Sequence, residues 1–464
     1  METLTLAQVA ALAGGSISSG DRDAAVSRVS TDSRTLQAGD LFVPLRGENF
    51  DGHKFIQQAA ERGAVGAMVE EKWNGKAPEN FALIRVADTL VGYQTLAANY
   101  RTSLPLKVIA ITGSNGKTST KDFVAAVLAR KFRVTKTAGN FNNHVGLPQT
   151  MLAAKRDDEI AVWEIGMNHP GEIAALAKLA TPEVAIITNI GLAHIEFMGT
   201  REAIAEEKGA LAEALAANGT LILNADDPFT ESISKRTRAK IVLAGIENGS
   251  VRAVDITQSA TGSEFTILEG AHRCRAQLPV PGIHMVQNAM LAVAAGRVFN
   301  MSLEECAVGL ASTPLTKARL QIKEIAGIQF IDDSYNANPD SMKAALRTLV
   351  ELDSDGRRIA VLGEMGELGA ESEPGHRDVG EAAAALRIDE LIAVGPIGAT
   401  IARAAEKAGL KNTVAVNSQE EAAELLEKNA VPGDLVLIKG SRAARMERVL
   451  EEFTKRPRAE EFSR

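Results

Sequence analysis

The chain has 464 residues, of which 45% are hydrophobic and 24% charged, so its composition is that of a folded globular protein and excludes disorder as the main state. At roughly 150 residues per domain, this length suggests three domains. The net charge of −8 argues against binding to nucleic acid or an anionic membrane, although it allows a local basic pocket. Two cysteines are too few for a disulfide framework and suit the cytoplasm. No apolar run approaches about 18 residues and the first residues lack a basic stretch, so we expect neither a membrane span nor a signal peptide.

The first predicted elements, in residues 1–103, are short and mixed in type. They indicate a small mixed α/β N-terminal domain, which ends before Pro105 because proline disfavours helical geometry in the preceding residue. The predicted strands are Asp40–Leu45, Ala64–Glu70 and Phe81–Val86, and the predicted helices are His53–Arg62 and Thr89–Arg101.

Residues 104–313 form the second predicted domain. Buried apolar runs alternate with helices, which predicts a doubly wound parallel sheet of the P-loop type. The runs are Leu106–Thr112, Glu159–Ile165, Glu183–Asn189 and Thr220–Asn224, and antiparallel strands follow in Arg252–Leu278. In the third domain, residues 314–464, the runs Arg358–Gly363, Glu390–Gly395 and Asp434–Lys439 predict a Rossmann-like sheet. The predicted fold class is therefore α/β with three domains.

The strongest motif is the loop Thr112–Thr120, which lies between a buried strand and a helix. Its glycines allow backbone N–H groups to face an anion, Lys117 adds a positive charge, and Thr118 offers a hydroxyl to Mg²⁺. The first glycine of the standard phosphate loop would fall at Ile111, so the match is not strict. An ordinary glycine-rich turn is the alternative, and the coincidence of strand, Gly-Lys-Thr and helix favours the phosphate loop.

Polar residues also follow the next strands of the central domain. Glu164 ends a buried strand, where a carboxylate suits Mg²⁺, although a helix-capping or salt-bridged glutamate is equally consistent. His194 and Glu196 follow another strand and could meet metal or phosphate, whereas a lone histidine is more often structural. Lys208 lies among acidic residues, and its spacing alone indicates a solvated helix face. The asparagine-rich segment 137–146 reads, by itself, as a turn.

The third domain carries three further polar segments. Residues Asp332–Pro339 end an apolar run and include one of only three tyrosines, which suggests a functional loop or a plain Asx-rich turn. Gly363–Gly369 follows a strand and indicates a ligand loop of some kind. Lys439–Arg442, at a strand end that opens a helix, suits an anion or carboxylate.

The order of these motifs resembles the Mur ligase family, and within it the branch that adds D-alanyl-D-alanine. The motifs are Thr-Gly-Ser-Asn-Gly-Lys-Thr, Gly-Asn-Phe-Asn-Asn, Glu-Ile-Gly-Met-Asn, Asn-Ile-Gly-Leu-Ala-His, Glu-Lys-Gly, Arg-Leu, Asp-Asp-Ser-Tyr-Asn-Ala-Asn-Pro and Lys-Gly-Ser-Arg. The resemblance implies that the three domains bind, in order, a UDP-sugar-peptide, ATP and the incoming amine. It implies a ligase that phosphorylates the carboxylate of UDP-MurNAc-tripeptide with ATP and then lets the amine of D-alanyl-D-alanine attack the acyl phosphate.

The resemblance also implies roles for individual residues of the ATP site. It implies catalytic roles for Lys117, His194, Lys208 and Arg319, and an ATP site made of Gly113, Ser114, Asn115, Gly116, Lys117, Thr118, Ser119, Asn288 and Asp333. It implies two Mg²⁺ sites, one at Thr118 and Glu164 and one at His194 and Lys208, with Lys208 carbamylated.

The remaining implied residues bind the two other substrates. Ser33, Arg34, Asn49, Asp51 and Gly52 match the UDP-sugar-peptide site. For D-alanyl-D-alanine, Lys439, Ser441 and Arg442 offer charge and helix N–H groups to its carboxylate, and we expect Tyr335, Asn336 and Asn338 to line the other side. Two residues depart from the family pattern, since Met285 stands where asparagine is expected and Ala318 where glycine is expected.

Three other interpretations remain open. The first is a sister Mur ligase or folylpolyglutamate synthase that adds another amino acid, and the Asp-Asn-Pro-Arg signature of the diaminopimelate-adding enzyme is absent from the sequence. The second is a P-loop NTPase switch, which would leave the third domain unexplained. The third is a non-catalytic UDP-sugar sensor, which the joint presence of Lys117, Glu164 and Lys208 disfavours. A monomer is the family expectation.

Overall fold

A computed structural model describes residues 1–314 and 316–455 of the chain. Three large sheets succeed one another along the sequence, with five, nine and six strands, and helices pack on them. The predicted α/β class with parallel-rich sheets is confirmed. In the described part of the chain, no helix is both long and apolar enough to cross a bilayer. Leu315, at the start of the third predicted domain, and the charged tail after Lys455 lie outside the described residues.

The first sheet is mixed. The strands Arg28–Ser30, Asp40–Phe42, Gly66–Glu70 and Ala82–Val86 pair in parallel, and Ser16–Ser19 adds an antiparallel edge. Two small antiparallel pairs accompany it, Leu4–Thr5 with Ala25–Val26 and Arg46–Gly47 with Phe50–Asp51. The helices of this region are Leu6–Leu12, the 3-10 turn Gly52–Phe55, Ile56–Glu61 and Thr89–Thr102.

The nine-stranded sheet begins with a parallel set that carries the phosphate loop. In spatial order its strands are Val134–Lys136, Ile160–Glu164, Lys107–Thr112, Val184–Ile187, Thr220–Asn224, Lys240–Gly245, Val251–Ser259, Gly262–Glu269 and His272–Leu278, the last three pairing in antiparallel fashion. Its helices are Lys117–Leu128, Gly146–Ala153, Glu172–Ala180, Ile195–Met198, Arg201–Glu213, Thr230–Ser234, Ile283–Val298 and Leu303–Ala311.

The six-stranded sheet is parallel apart from one edge hairpin. Its strands, in spatial order, are Gln321–Ile325, Ile328–Asp333, Leu435–Lys439, Arg358–Leu362, Glu390–Val394 and Thr413–Val416. Its helices are Pro339–Glu351, the 3-10 turn Gly369–Glu371, Ser372–Ala385, Ala399–Lys407, Gln419–Asn429 and Glu447–Lys455. The edge strand Gln321–Ile325 and the short strands Ser16–Ser19 and Arg28–Ser30 of the first sheet carry few apolar residues, so they do not stand out in the sequence.

Strand register places the polar residues of the central sheet at one edge. Ile111 pairs with Glu164 on one side, and Thr112 pairs with Ile187 on the other. All three strands run in the same direction, so the segments that follow them emerge together. The phosphate loop, Glu164 and the segment 188–194 therefore meet at the carboxyl ends of neighbouring strands.

Ala318, which replaces the expected glycine, has a left-handed backbone with φ of +57°. Its carbonyl accepts a hydrogen bond from Tyr335 N at 3.2 Å, so this conformation shapes the approach to Arg319. A β-carbon makes the left-handed region unfavourable, which explains why glycine suits this position.

We expect Ala318→Gly to stabilise the fold by about 1 kcal/mol, because it removes the steric cost of a left-handed alanine. The control, Ala382→Gly inside the helix Ser372–Ala385, should destabilise by about 1 kcal/mol. Urea unfolding of both variants measures the two effects, and destabilisation by Ala318→Gly would show that the alanine is not strained.

Candidate active site

The loop between the strand Lys107–Thr112 and the helix Lys117–Leu128 has the geometry of an anion site. Gly113 and Gly116 both have positive φ, +148° and +79°. A β-carbon on Gly113 would lie 1.8 Å from Thr188 Oγ1, and one on Gly116 would lie 2.6 Å from the Asn288 side chain. No side chain caps the first turn of the helix, so its N–H groups remain available to an anion.

Lys117 folds back over this loop. Its Nζ donates to the carbonyl of Gly113 at 2.7 Å and to that of Ser114 at 3.4 Å. Burial lowers its pKa, and the charge of Arg319 acts in the same direction against the opposing effect of Glu164. A bound polyanion would compensate this desolvation, so the lysine is placed for phosphate.

A short network joins the loop to Glu164. The Thr118 hydroxyl donates to Glu164 Oε2 at 2.9 Å, and Asn142 Nδ2 donates to Glu164 Oε1 at 2.8 Å. Glu164 is only 2% exposed, and both it and Thr118 line the central cavity. Two hard oxygen donors next to an anion loop fit a Mg²⁺ ion that also binds phosphate oxygens.

Arg319 reaches this network from the third sheet's region. Its Nη2 donates to Thr118 Oγ1 at 3.1 Å, and its guanidinium lies 4.3 Å from the centre of the Tyr335 ring. Its Nε is buried and has no hydrogen-bond partner among the residues that the structure describes. The arginine is thus held by the ring while it keeps donors for a further acceptor.

His194 and Lys208 differ in their relation to the cavity. His194 lines it, with a left-handed backbone, and its Nδ1 lies 2.6 Å from Glu367 Oε2, although the ring N–H is not aligned on that oxygen. This contact lowers the pKa of Glu367 against the opposing effect of burial. Lys208 is 1% exposed and does not line the cavity.

Burial lowers the pKa of Lys208 well below its ordinary value, and the charge of Lys117 adds to the effect. Within residues 1–314 and 316–455, no carboxylate forms an ion pair with Lys208. The neighbouring Glu207 instead accepts hydrogen bonds from the N–H groups of Gly171 and Ile173. Burial of Lys208 without an ion-pair partner therefore shifts its equilibrium toward the neutral amine.

These residues surround one cavity of about 1000 Å³ between the second and third sheets. It brings together most residues that the family resemblance implies for ATP and the amine. Those that line it are Ser114, Asn115, Gly116, Lys117, Thr118, Ser119, Glu164, His194, Asn288, Arg319, Asp333, Tyr335, Asn336, Asn338, Lys439, Ser441 and Arg442. Gly113 lies directly behind the wall, where it holds the loop against Thr188.

Several third-domain residues are already engaged with one another. Lys439, 3% exposed, donates to Asp333 Oδ2 at 2.5 Å and to the carbonyl of Asn336 at 3.0 Å. Arg442 is exposed and pairs with Glu447 at 3.0 Å. Asn338 caps the helix Pro339–Glu351 and donates to Asn115 Oδ1 at 2.8 Å. The charge of Lys439 is thus neutralised by Asp333, and the side chain of Arg442 lies at the rim of the cavity.

The five residues implied for the UDP-sugar-peptide lie in the first sheet's region and do not line this cavity. The side chain of Arg34 pairs with Asp32 at 2.8 Å and is largely exposed. Asp51 caps the turn Gly52–Phe55 and lies 3.4 Å from Arg46. Gly52 packs so tightly that a β-carbon would lie 2.8 Å from the carbonyl of Leu45. Ser33 and Asn49 lie in the loops beside these residues.

Asp340, Glu367 and His284 are among the lining residues of the cavity that the sequence alone did not assign. Asp340 Oδ2 accepts from Leu192 N at 3.0 Å, and Glu367 contacts His194, so both acids connect the second and third domains. His284 has a buried Nδ1 that forms no hydrogen bond within residues 1–314 and 316–455. Glu367 lies in the glycine-rich loop 363–369, which carried a signal for a ligand loop without naming the residue. In the described residues, no group of three or more histidine, cysteine, aspartate or glutamate side chains could hold a metal ion alone.

The buried His284 predicts a pH dependence of stability. Burial lowers its pKa to about 4 from 6.5, so between these values the unfolded chain binds a proton that the folded protein does not. Stability should therefore fall as the pH is lowered through this window, by about 1–2 kcal/mol at about pH 5. Urea unfolding should show a smaller loss for His284→Asn than for the exposed control His272→Asn. Equal losses of stability in the two variants would show that His284 does not cause this pH dependence.

Comparison with known proteins places this geometry in a family. The Mur ligase middle-domain model matches residues 111–296, the model of the Mur ligase glutamate ligase domain matches 318–442, and that of the Mur ligase family catalytic domain matches 25–99.

A relative from Bacillus subtilis, named UDP-N-acetylmuramoyl-tripeptide–D-alanyl-D-alanine ligase, is 42% identical over 92% of this chain and 93% of its own length. The crystal structure of MurF from Acinetobacter baumannii superposes with a TM-score of 0.90 at 34% identity, over 98% of this chain and all of that one. MurF ligase from Thermotoga maritima, in complex with ADP, gives a TM-score of 0.83 at 30% identity over 92% and 97% of the two chains. The chain belongs to the Mur ligase family.

Proposed function

We propose that the chain is an ATP-dependent ligase that joins D-alanyl-D-alanine to UDP-MurNAc-tripeptide through an acyl phosphate. The product would be the UDP-MurNAc-pentapeptide precursor of peptidoglycan, made in the cytoplasm by a monomer. The observation that carries the proposal is Arg319, which comes from the third domain and donates to Thr118 beside the phosphate loop. The relatives named for this reaction, and the ADP in the Thermotoga structure, support the substrates.

The first step is transfer of the γ-phosphoryl group to a carboxylate, which is a poor nucleophile toward a polyanion. Lys117 and the N–H groups of the loop would neutralise the β- and γ-phosphates, and Arg319 would stabilise the charge of the transferring group. Mg²⁺, when bound, would screen the remaining charge between nucleotide and carboxylate. Removal of water as the domains close strengthens each of these contacts.

Thr118 and Glu164 would hold one Mg²⁺ ion, and His194 with Lys208 would hold the second. An amine becomes an oxygen ligand only if it is carbamylated, and the neutral amine is the form that adds CO₂ with release of a proton. The buried Lys208, with its lowered pKa, supports such a modification. The carbamate would replace a cation by an anion with two oxygens, which suits Mg²⁺.

The incoming amine would bind beside the acyl phosphate, in the third domain. Tyr335, Asn336 and Asn338 line that part of the cavity, with Lys439, Ser441 and Arg442 opposite them. Lys439 is buried and paired with Asp333, whereas Arg442 is exposed and pairs with Glu447 at the rim, so Arg442 is the candidate for the carboxylate of the dipeptide. Asn288 and Asp333 would hold the adenosine part of ATP.

The three domains would divide the work as 1–103, 104–313 and 314–464. The first would hold the UDP-sugar-peptide through Ser33, Arg34, Asn49, Asp51 and Gly52, which lie outside the central cavity. The second would bind ATP and the third the amine. Under this division the carboxylate, ATP and the amine are bound by different domains, so they would meet at the boundary between the sheets.

The proposal predicts phosphate release that depends on all three substrates. With UDP-MurNAc-tripeptide and ATP present, D-alanyl-D-alanine should support turnover, whereas L-lysine, diaminopimelate and glutamate should not. Equal activity with one of these other amines would instead indicate a sister ligase that adds that amino acid. Lys117→Ala should lose about a hundredfold or more in rate, since it removes charge stabilisation of the transferring phosphate. Lys178→Ala, on the exposed face of the helix Glu172–Ala180, is the matched control and should keep normal activity.

A second prediction concerns Lys208. Lys208→Ala should lose about a hundredfold or more in rate at saturating Mg²⁺, because the second metal site loses its oxygen ligand. Formate or acetate should restore part of the activity by filling the space with a carboxylate, and should not restore Lys117→Ala. A fully active Lys208→Ala would show that Lys208 only packs in the protein core as part of the helix Arg201–Glu213.

A further inference from the structure

We propose that Glu367 is a positioning residue that holds the His194 ring from across the boundary between the second and third sheets. His194 follows the strand Val184–Ile187 of the nine-stranded sheet, whereas Glu367 follows the strand Arg358–Leu362 of the six-stranded sheet. The inference rests on the proposed function, because it concerns the metal ion that His194 would bind in that reaction. It gives the glycine-rich loop 363–369 a role that the reaction scheme leaves open.

The contact fixes which ring nitrogen is free. Nδ1 of His194 lies 2.6 Å from Glu367 Oε2, and because a carboxylate offers only lone pairs, this distance favours a proton on Nδ1 even though the ring N–H is not aligned on that oxygen. In the neutral ring, Nε2 then carries the lone pair and is the nitrogen that can bind a metal ion. Metal-binding histidines commonly donate their other N–H group to a carboxylate, which sets the orientation and basicity of the ring.

The loop 363–369 also touches the segment after His194 through its backbone. Glu196 N donates to the carbonyl of Glu367 at 3.2 Å. At Gly369, which has φ of +51°, a β-carbon would lie 3.1 Å from Glu196 Cγ. Side chain, backbone and close approach thus hold the same short stretch, residues 194–196.

Both partners of the contact have strained backbones. His194 has φ of +62° and Glu367 has φ of +58°, a conformation that residues with a β-carbon rarely adopt. Such conformations persist where the surroundings over-determine them and concentrate at functional sites. Because both His194 and Glu367 are strained, we infer that the surrounding fold maintains the contact between them.

The consequence is that the second metal site is complete only when the third domain lies against the central domain. Glu367 would not touch substrate or metal, and would act through the ring of His194. Docking of the amine-binding domain would therefore prepare the metal ligand as well as deliver Arg319.

The test compares three variants of the full chain. Glu367→Ala removes the contact, and Glu367→Gln keeps an oxygen acceptor without the charge. The control is Glu371→Gln, in the 3-10 turn that follows the loop, with no ion pair among the described residues. Heteronuclear NMR of histidine-labelled protein, with His194 assigned by its own substitution, reports the tautomer without any substrate. We expect a protonated Nδ1 in the unaltered chain, in Glu367→Gln and in the control, and mixed tautomers in Glu367→Ala.

Metal affinity provides the second measurement. Titration with Mn²⁺ in the presence of a non-hydrolysable ATP analogue, followed by electron paramagnetic resonance, should show binding about tenfold weaker in Glu367→Ala, the effect typical of losing such a partner. Glu367→Gln should recover most of the affinity. In turnover, kcat should fall in Glu367→Ala while the KM for D-alanyl-D-alanine stays unchanged.

An unchanged His194 tautomer in Glu367→Ala would overturn the inference, as would unchanged Mn²⁺ affinity. The NMR result does not depend on which amine the enzyme uses. Failure of the positioning role is therefore distinguishable from failure of the proposed reaction, which the amine-dependence of phosphate release decides.

Discussion

The hydroxyl of Thr118 is the point on which the arrangement of the site depends. It donates to Glu164 and accepts from Arg319, so one atom connects the first turn of the phosphate-loop helix, the end of a neighbouring strand and the third domain. A hydroxyl can do this because it is donor and acceptor at once. Without this hydroxyl, the Glu164 carboxylate and the Arg319 guanidinium would lose the hydrogen-bond partner that they share.

The second organising feature is the use of acids as structural partners. Asp340 accepts from the Leu192 amide, Asp227 accepts from the Ile190 amide, and Asp333 pairs with Lys439. These acids are therefore occupied, whereas Lys117 is bound only to carbonyls of its own loop. A chain with a net charge of −8 can in this way present a locally cationic surface to a polyanion.

The sequence allowed the fold class and the phosphate loop to be predicted because both rest on contiguous patterns. A buried strand, two glycines, Gly-Lys-Thr and a helix lie within one short stretch, and their geometry is largely local. Glu164 and His194 could be proposed since carboxyl ends of parallel strands share an edge. The roles proposed for these residues remain predictions.

Contacts between domains could not be predicted in the same way. The pairs Asp340–Leu192, Glu367–His194 and Lys439–Asp333 join residues far apart in the chain, and nothing in either partner's local sequence names the other. The pairing of Lys439 with Asp333 also shows how the same residue types can satisfy one another instead of a ligand. A charged residue at a strand end indicates a binding site. Whether that residue is paired or available to a ligand is decided by how the surrounding elements pack.

Backbone strain is concentrated where the second and third domains meet. Ala318, His194 and Glu367 all hold left-handed conformations there. Such conformations cost about 1–2 kcal/mol each and persist only where the surroundings over-determine them. The contacts between the two domains therefore offset this cost, and part of the free energy of their packing fixes the backbone at the site.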